Sequence, residues 1–196
     1  MHEIMGHDLG MAADEVHAAA RTVLDFWFNE LSDEQHFTKD AELDARIAAR
    51  FSQLRAALLS SGAVAWRDWP DSILAAIIVL DQFSRNIYRG QSAAFAADSL
   101  ALELARHAIG RGWDNAMTPR QRQFLYMPLM HAEDAGVQAE SVRMFESLGD
   151  EEVIAFARAH RDVIQRFGRF PGRNAALGRE STPEERDYLS RPDAGW

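Results

Sequence analysis

The sequence contains no cysteine, and Lys39 is the only lysine among its 21 lysine and arginine residues. The lack of cysteine excludes a disulfide framework, a thiolate metal site and a cysteine nucleophile. Arginine therefore supplies almost all the positive charge, yet the net charge is −9 and the pI is about 5.2. This acidic balance argues against nucleic acid or an anionic membrane surface as a partner.

Long apolar runs are also missing. The longest, residues 73–80, falls far short of the ~20 residues that cross a bilayer. The first twelve residues lack the basic start and apolar stretch of a signal peptide. We therefore expect a soluble cytoplasmic protein with a disordered leader at residues 1–12 and one all-helical domain at residues 13–196. The length of 196 residues suits a single domain.

Strand-like alternation and Asn-Gly turns are absent, whereas apolar residues recur at helical spacing almost everywhere. The pattern predicts helices at about residues 14–28, 39–60, from 70 through the apolar run, 92–110, from 119, 139–148, 151–167 and a short one from 183. Thr118 with Gln121, and Thr182 with Glu185, have capping-box spacing. The fold class predicted is all-α, with about seven to eight helices in antiparallel pairs.

The segment IVLDQFSRNIYRG, residues 78–90, places charge directly after the most apolar run. A helical wheel puts Asp81 and Arg85 four residues apart, on a face that is otherwise buried. We expect Gln82 and Asn86 to flank this pair and to bond loop backbone. Two interpretations are equally consistent with the pattern: a structural ion pair between helices, or part of a ligand site.

Two further segments carry candidate residues. His131 and Glu133 follow Pro128, which interrupts a helix, and their spacing is not that of metal ligands. His160 lies in an apolar stripe, where a histidine is usually a core residue and can otherwise be a shielded acid or base. After it, a turn carries Arg169 and Arg173, which suit a carboxylate or phosphate, or acids of the protein itself.

Between Arg158 and Arg179 the chain has six arginines and one acid, Asp162, so this basic segment needs a partner. Phosphate-binding loops, the GxSxG motif, the HExxH motif and dinucleotide fingerprints are all absent. No cofactor and no metal are expected from the motifs.

The segments LDQFSRNIYRG, FLYMPLMHAED, SVRMFESLG, HRDVIQRFGRFPGRN and LGRESTPEE resemble, in order and spacing, the uncharacterised bacterial family known as domain of unknown function 924. The resemblance covers roughly residues 23–192. It implies a tetratricopeptide-like fold of stacked helix pairs with a concave side, and it implies no activity. The matching polar residues are Asp81, Gln82, Arg85, Asn86, Arg89, His131, Glu133, His160, Arg161, Arg169, Arg173 and Asn174.

Two positions depart from the family pattern. Ser84 stands where the family typically has proline, which predicts a more regular helix here. Gly172 stands where the family typically has histidine, so a mechanism that depends on that histidine is in doubt for this chain.

Three functions follow as hypotheses. The first is a binding module that holds an anionic small molecule or peptide in a groove, with Arg85, Arg89, Arg169 and Arg173 as anion donors and Gln82, Asn86 and Asn174 orienting the ligand. The second is a metal-assisted or acid–base hydrolase that uses Asp81, His131, Glu133 and His160. The third is a purely architectural polar network, in a protein that functions elsewhere or by oligomerisation, for example as a homodimer. We favour the first, because helical arrays of this kind mostly present binding surfaces.

Overall fold

The computed structural model describes residues 13–192 and residue 194, and these residues contain helices and turns without any β-strand. The predicted all-α class is confirmed. The predicted leader, residues 1–12, lies outside the described residues.

Ten α-helical segments are present in the described chain. They are α1 (Ala13–Asp25), α2 (Asp33–Phe37), α3 (Ala41–Ser61), α4 (Pro70–Ile77), α5 (Ser84–Ile87), α6 (Asp98–Gly110), α7 (Pro119–Met130), α8 (Ala135–Glu146), α9 (Glu151–Phe167) and α10 (Pro183–Leu189). A π-helical segment, Phe26–Glu30, extends α1, and a second, Ile78–Phe83, joins α4 to α5 in one continuous helical run. Short 3₁₀ turns occur at Val64–Trp66, Ser92–Ala94, Trp113–Ala116 and Pro171–Arg173.

The predicted capping boxes are both formed. The Thr118 hydroxyl accepts a hydrogen bond from the Gln121 amide at 3.2 Å, and the Gln121 side chain accepts one from the Thr118 amide at 2.9 Å. Thr182 and Glu185 form the same pair of bonds at 3.2 and 2.8 Å. Gly62 ends α3 in the left-handed region with φ 62°. Each cap is worth about 1 kcal/mol, which is why these boundaries were predictable.

Three expectations on helix boundaries were wrong. The fourth predicted helix begins at Asp98 rather than near residue 92, because the chain first makes a 3₁₀ turn at Ser92–Ala94 with no side-chain cap. The sixth begins at Ala135 rather than 139, because Asp134 caps it by accepting from the Val137 amide at 2.8 Å. The short helix α2 was missed altogether.

The helical run formed by α4, the π segment and α5 is the centre of the fold. Every residue of its apolar stretch, 73–80, is 0% exposed. Helices α1, α6 and α7 pack against α4, while α3 packs against the π segment and α5; α8 packs between α7 and α9. The residues that follow the apolar stretch, beginning with Asp81, therefore lie inside the molecule.

In the part of the chain that the structure describes, no helix is both long enough and apolar enough to cross a lipid bilayer. The tetratricopeptide-like stacking with a concave groove stays a prediction.

Candidate functional site

The π segment carries Asp81 into the core, where its carboxylate is fully buried with 0% exposure. Asp81 Oδ1 lies 2.8 Å from His131 Nδ1 and 3.1 Å from Arg85 Nη1, and Oδ2 accepts a bond from Gln82 at 2.6 Å. Burial alone raises the pKa of Asp81, but Arg85, His131 and Gln82 outweigh it and hold the pKa below its ordinary value. The carboxylate is therefore ionised, as a buried charge with a full set of partners can be. The predicted i,i+4 pair exists.

The state of the His131 ring follows from that carboxylate. An ionised carboxylate can only accept, so Nδ1 of His131 must carry the hydrogen of their shared bond. Burial lowers the pKa of His131 below its ordinary value, Arg85 lowers it further, and Asp81 only partly offsets both. In the neutral ring the lone pair is then on Nε2. Nε2 has no hydrogen-bond partner among the described residues and is not fully buried.

A second acid, Asp98 at the start of α6, joins two arginines. Arg85 donates to both of its carboxylate oxygens, at 3.0 and 3.1 Å. Arg173 donates from Nη1 to Asp98 Oδ2 at 3.2 Å and from Nη2 to the His131 carbonyl at 2.8 Å. Burial lowers the pKa of Arg173 to about 10, and the neighbouring Arg85 adds to the effect. We call Asp81, Arg85, Asp98, His131 and Arg173 the cleft cluster.

The guanidinium of Arg173 packs against two aromatic rings. Its guanidinium carbon lies 4.8 Å from the centre of the Phe95 ring and 4.6 Å from that of Phe170. Such stacking is favourable for a guanidinium and fixes its plane. Only two of its N–H groups bond described residues, so the fixed plane leaves donors to spare.

Three members of the cleft cluster, Asp98, His131 and Arg173, line a cavity of about 380 Å³. The lining residues are Phe95, Asp98, Ser99, Leu102, Pro128, His131, Ala132, Glu133, Arg173 and Leu177. An apolar lining with a few convergent polar groups, at this size, is typical of small-molecule sites. The polar residues come from α6, from the connection between α7 and α8 and from the 3₁₀ turn Pro171–Arg173, so only the folded chain brings them together.

A second set of polar residues is centred on the segment 168–185. We call these residues the turn cluster: Glu133, Arg169, Asn174, Arg179 and Glu185. Arg169 donates to both oxygens of the buried Glu185, at 2.7 and 2.8 Å. Asn174 also donates to Glu185, at 3.2 Å, while Arg179 holds both oxygens of Glu133 at 2.7 and 2.9 Å. Hydrogen bonds from Arg169 lower the pKa of Glu185 to about 2, although burial by itself raises that pKa. Burial alone raises the pKa of Glu133, but Arg179 and the Phe170 amide outweigh it and lower that pKa.

The six arginines of the basic segment all find acids of the chain. The pairs are Arg158 with Glu146, Arg161 with Asp162, Arg166 with Glu184, Arg169 with Glu185, Arg173 with Asp98, and Arg179 with Glu133. The partner that the sequence required is thus the protein itself.

His160 approaches the cleft cluster from α9 and stays neutral. Its ring centre is 6.1 Å from that of His131, and its Nδ1 lies 2.8 Å from the Phe156 carbonyl. Burial lowers the pKa of His160 to about 3, and His131 contributes in the same direction. Within residues 13–192, no group of three or more His, Asp or Glu side chains is placed to hold a metal.

The structure separates the predicted anion donors. Arg85 and Arg173 meet at Asp98, but Arg89 lies on another surface, where it donates to both oxygens of Asp44 at 2.6 and 2.8 Å. Asn86 bonds the same Asp44 at 2.8 Å, so it does not bond loop backbone as expected. Gln82 likewise bonds side chains, Asp81 and Met127. Sequence reasoning missed Asp98, the acid that links the two central arginines, because no local motif marks it.

The two departures from the family pattern have clear positions. Ser84 is buried and accepts a hydrogen bond from Arg55 Nε at 3.1 Å. The helix before it is a π segment rather than a regular α-helix. Gly172 is exposed in the 3₁₀ turn next to Arg173.

The motif segments lie between residues 80 and 185 of the described fold, and a family comparison agrees with them. The family described as bacterial protein of unknown function (DUF924) matches residues 23–193. The chain belongs to this family. The family resemblance seen in the sequence is therefore confirmed.

Another protein of the same description shares the architecture of this DUF924 member. The solved structure of protein of unknown function ATU0120 from Agrobacterium tumefaciens is 39% identical in sequence and superposes with a TM-score of 0.85. The match covers 89% of this chain and 98% of that one. No curated protein matches the sequence significantly.

Proposed function

We propose that the protein binds a small organic molecule with an anionic group in the cleft, and that Arg173 is the anion donor. The observation that carries this proposal is the clamped guanidinium of Arg173, which lines a cavity of about 380 Å³ with N–H groups unused. A guanidinium held rigidly before the ligand arrives loses little entropy on binding.

The electrostatics favour an anion over a cation. Burial and Arg85 lower the pKa of Arg173, which means that its positive charge is incompletely compensated by the acids around it. The carboxylates that face the cleft, Asp98 and Glu133, are already engaged by arginines. An incoming carboxylate or phosphate would supply the missing compensation.

The apolar part of the lining limits the ligand. Phe95, Leu102, Pro128 and Leu177 surround the polar groups, so the ligand combines a compact anionic end with an apolar body. The volume fits a metabolite-sized molecule rather than a folded partner.

This proposal narrows the arginine-lined groove expected from the sequence to one arginine. Arg85 does not line the cavity and forms ion pairs with Asp81 and Asp98. Arg89 and Arg169 form ion pairs with Asp44 and Glu185, which also lie outside the lining. For Arg89, Arg169 and Asn174 the observed contacts favour the architectural role.

The experiment is a thermal-unfolding screen of the purified protein against small carboxylates, inorganic phosphate and phosphomonoesters, with neutral amides of the same shape for comparison. A ligand at about 100 times its Kd adds about 2.7 kcal/mol of stability. For a chain of this length, that raises Tm by roughly 5–10 °C. We expect an anion, and not its amide, to produce the shift.

Substitutions of Arg173 and Arg169 test whether the anion-induced rise in Tm comes from binding in the cleft. Arg173→Ala should abolish it, measured against the variant's own Tm, and Arg173→Lys should weaken it because the planar fork is lost. The matched control is Arg169→Ala, which removes the same charge four residues earlier and should keep the shift. The proposal is wrong if no anion stabilises the parent, or if Arg173→Ala responds like the parent.

A further inference from the structure

His131 has one ring nitrogen occupied and one presented to the cleft. Asp81 holds Nδ1 at 2.8 Å from the core side, and His131 itself lines the cavity. Asp81 is 0% exposed and cannot touch a ligand directly. Asp81 can therefore influence a molecule in the cleft only through the imidazole of His131.

The hydrogen bond to Asp81 determines which tautomer of the His131 ring faces the cleft. Because Nδ1 donates to an ionised carboxylate, the neutral ring presents an unprotonated Nε2. A purely structural histidine has no need of an open acceptor; His160, by comparison, is bonded along its own helix to the Phe156 carbonyl. A carboxylate that orients an imidazole in this way recurs in enzymes where the histidine removes a proton.

The groups that face His131 come from four elements. They are Asp81 of the π segment, Arg85 of α5, Arg173 of the 3₁₀ turn and His160 of α9. Of these, only Asp81 favours a protonated ring, and the two arginines oppose it. The surroundings thus keep the imidazole unprotonated near neutral pH, the state in which it can accept a proton.

We propose that His131 is a general base that removes a proton from a hydroxyl group of the cleft ligand, with Asp81 as its positioning residue. The O–H bond of the ligand breaks, and the proton forms an N–H bond at Nε2. The oxygen keeps the electron pair, and Asp81 compensates the imidazolium. As the O–H bond breaks, the oxygen forms its new bond to an electrophilic carbonyl or phosphoryl centre, and the proton on Nε2 then passes to the group that leaves that centre. General bases of this kind contribute about 10²–10⁴-fold to rate.

The ligand class follows from the spacing of Arg173 and His131. The Arg173 guanidinium bonds the His131 backbone carbonyl at 2.8 Å, its charge lowers the pKa of the His131 ring, and both residues line the same cavity, so anion donor and base are close together. A molecule whose anionic group is next to a hydroxyl would meet both. This part rests on the proposed function, because it assumes that Arg173 holds the anion.

The first test is NMR of ¹⁵N-histidine-labelled protein. The parent should show the Nδ1–H tautomer of His131 and no protonation of that ring at pH 7. Asp81→Asn removes the one charge that favours protonation, so the pKa of His131 should fall further in a folded variant. If the tautomer and titration of the ring do not change in this variant, Asp81 does not hold Nδ1 and is not the positioning residue. An Nε2–H tautomer in the parent would overturn the proposal.

The second test uses diethyl pyrocarbonate, which acylates unprotonated imidazole nitrogens. At pH 7, mass spectrometry should find the adduct on His131, and its rate of formation should persist below pH 6.5, the ordinary pKa of a histidine. The half-buried His107, which does not line the cleft, is the comparison. His131→Gln should remove this adduct alone. If His107 reacts and His131 does not, the general base is excluded.

Protection separates this inference from the proposed function. An anion found in the thermal screen should slow the reaction at His131 at least tenfold while leaving His107 unchanged. If His131 reacts but no anion binds, the ligand assignment fails and the base stands. If an anion binds and His131 is inert, the base fails and the binding function stands.

Discussion

The cleft cluster and the turn cluster are both networks of arginines and carboxylates, yet they differ in completeness. In the turn cluster, Arg169 and Arg179 each bond both oxygens of one acid, and Asn174 fills the remaining gap. In the cleft cluster, two arginines share Asp98. The arginines of the family motifs thus divide into one set whose members each hold both oxygens of an acid and one set that shares an acid and, at Arg173, leaves N–H groups without a bond to described residues.

The difference shows why a buried charge is weak evidence of function by itself. A closed network holds segments in register, and removing one member leaves an unpaired charge. An incomplete network has the same structural cost and also an unused donor and acceptor facing a cavity. Donor and acceptor atoms without a partner, rather than burial, distinguish a candidate binding site from a network that only holds helices together.

The largest effect is expected from Asp81→Ala. The substitution leaves Arg85 with one acid fewer and His131 Nδ1 without its acceptor, both inside the core. Breaking a buried charge pair costs about 3–5 kcal/mol. Urea unfolding should show this loss as a lower midpoint at unchanged slope. A loss below about 1 kcal/mol would mean that the cluster does not support the fold.

A smaller, pH-dependent effect is expected from the turn cluster. The pKa of Glu185 is lowered from 4.5 to about 2 by Arg169, Thr182 and Asn174. A carboxyl whose pKa is depressed on folding contributes stability above its unfolded pKa and loses it as the pH falls towards the folded value. The free energy of unfolding should therefore decline between pH 4.5 and about 2.

The control for this decline is Glu185→Gln, which keeps the shape of the side chain and cannot titrate. Urea unfolding at pH 7 and pH 3 should show a flatter dependence in this variant than in the parent. The anion-induced Tm shift should survive in it at pH 7, because Glu185 does not line the cleft. Equal slopes in both proteins would assign the acid sensitivity to other carboxylates.

The smallest effect is expected from Arg89→Ala. Arg89 is paired with Asp44, but its side chain is 39% exposed, so water screens the pair. Surface pairs of this kind contribute about 0–1 kcal/mol. Urea unfolding should find a loss in that range, and it should shrink further in 0.5–1 M salt. A loss comparable with that of Asp81→Ala would contradict the division into buried and peripheral arginines.

The sequence predicted what depends on neighbours within one turn. The Thr118–Gln121 cap and the Asp81–Arg85 pair are three and four residues apart, where helix geometry alone fixes the contact. The bond between Asp81 and His131 joins residues separated by 50 positions. Both had been selected as candidates, but only tertiary packing could show that they meet.

Other features had no readable signal. Asp98 is one acid among 30 Asp and Glu residues, and its role depends on where α6 begins, which was misplaced by six residues relative to residue 92. Asp44, the partner of Arg89, lies on the face of a different helix. The π segment leaves an ordinary apolar pattern in the sequence, because its apolar residues are buried on all sides.

That π segment makes the cleft sensitive to the length of the chain. A π turn amounts to one residue inserted into an α-helix. Deleting one residue between 78 and 80 would let the run become a regular α-helix, because the wider π turn takes up the rotation of that one extra residue, and the residues after Phe83 would keep their orientation. Asp81 lies within the segment that would change, so its distance from His131 would change although no charged residue is lost. Gaps in related sequences at this point would therefore separate chains that keep the hydrogen bond between Asp81 and His131 from chains that keep only the fold.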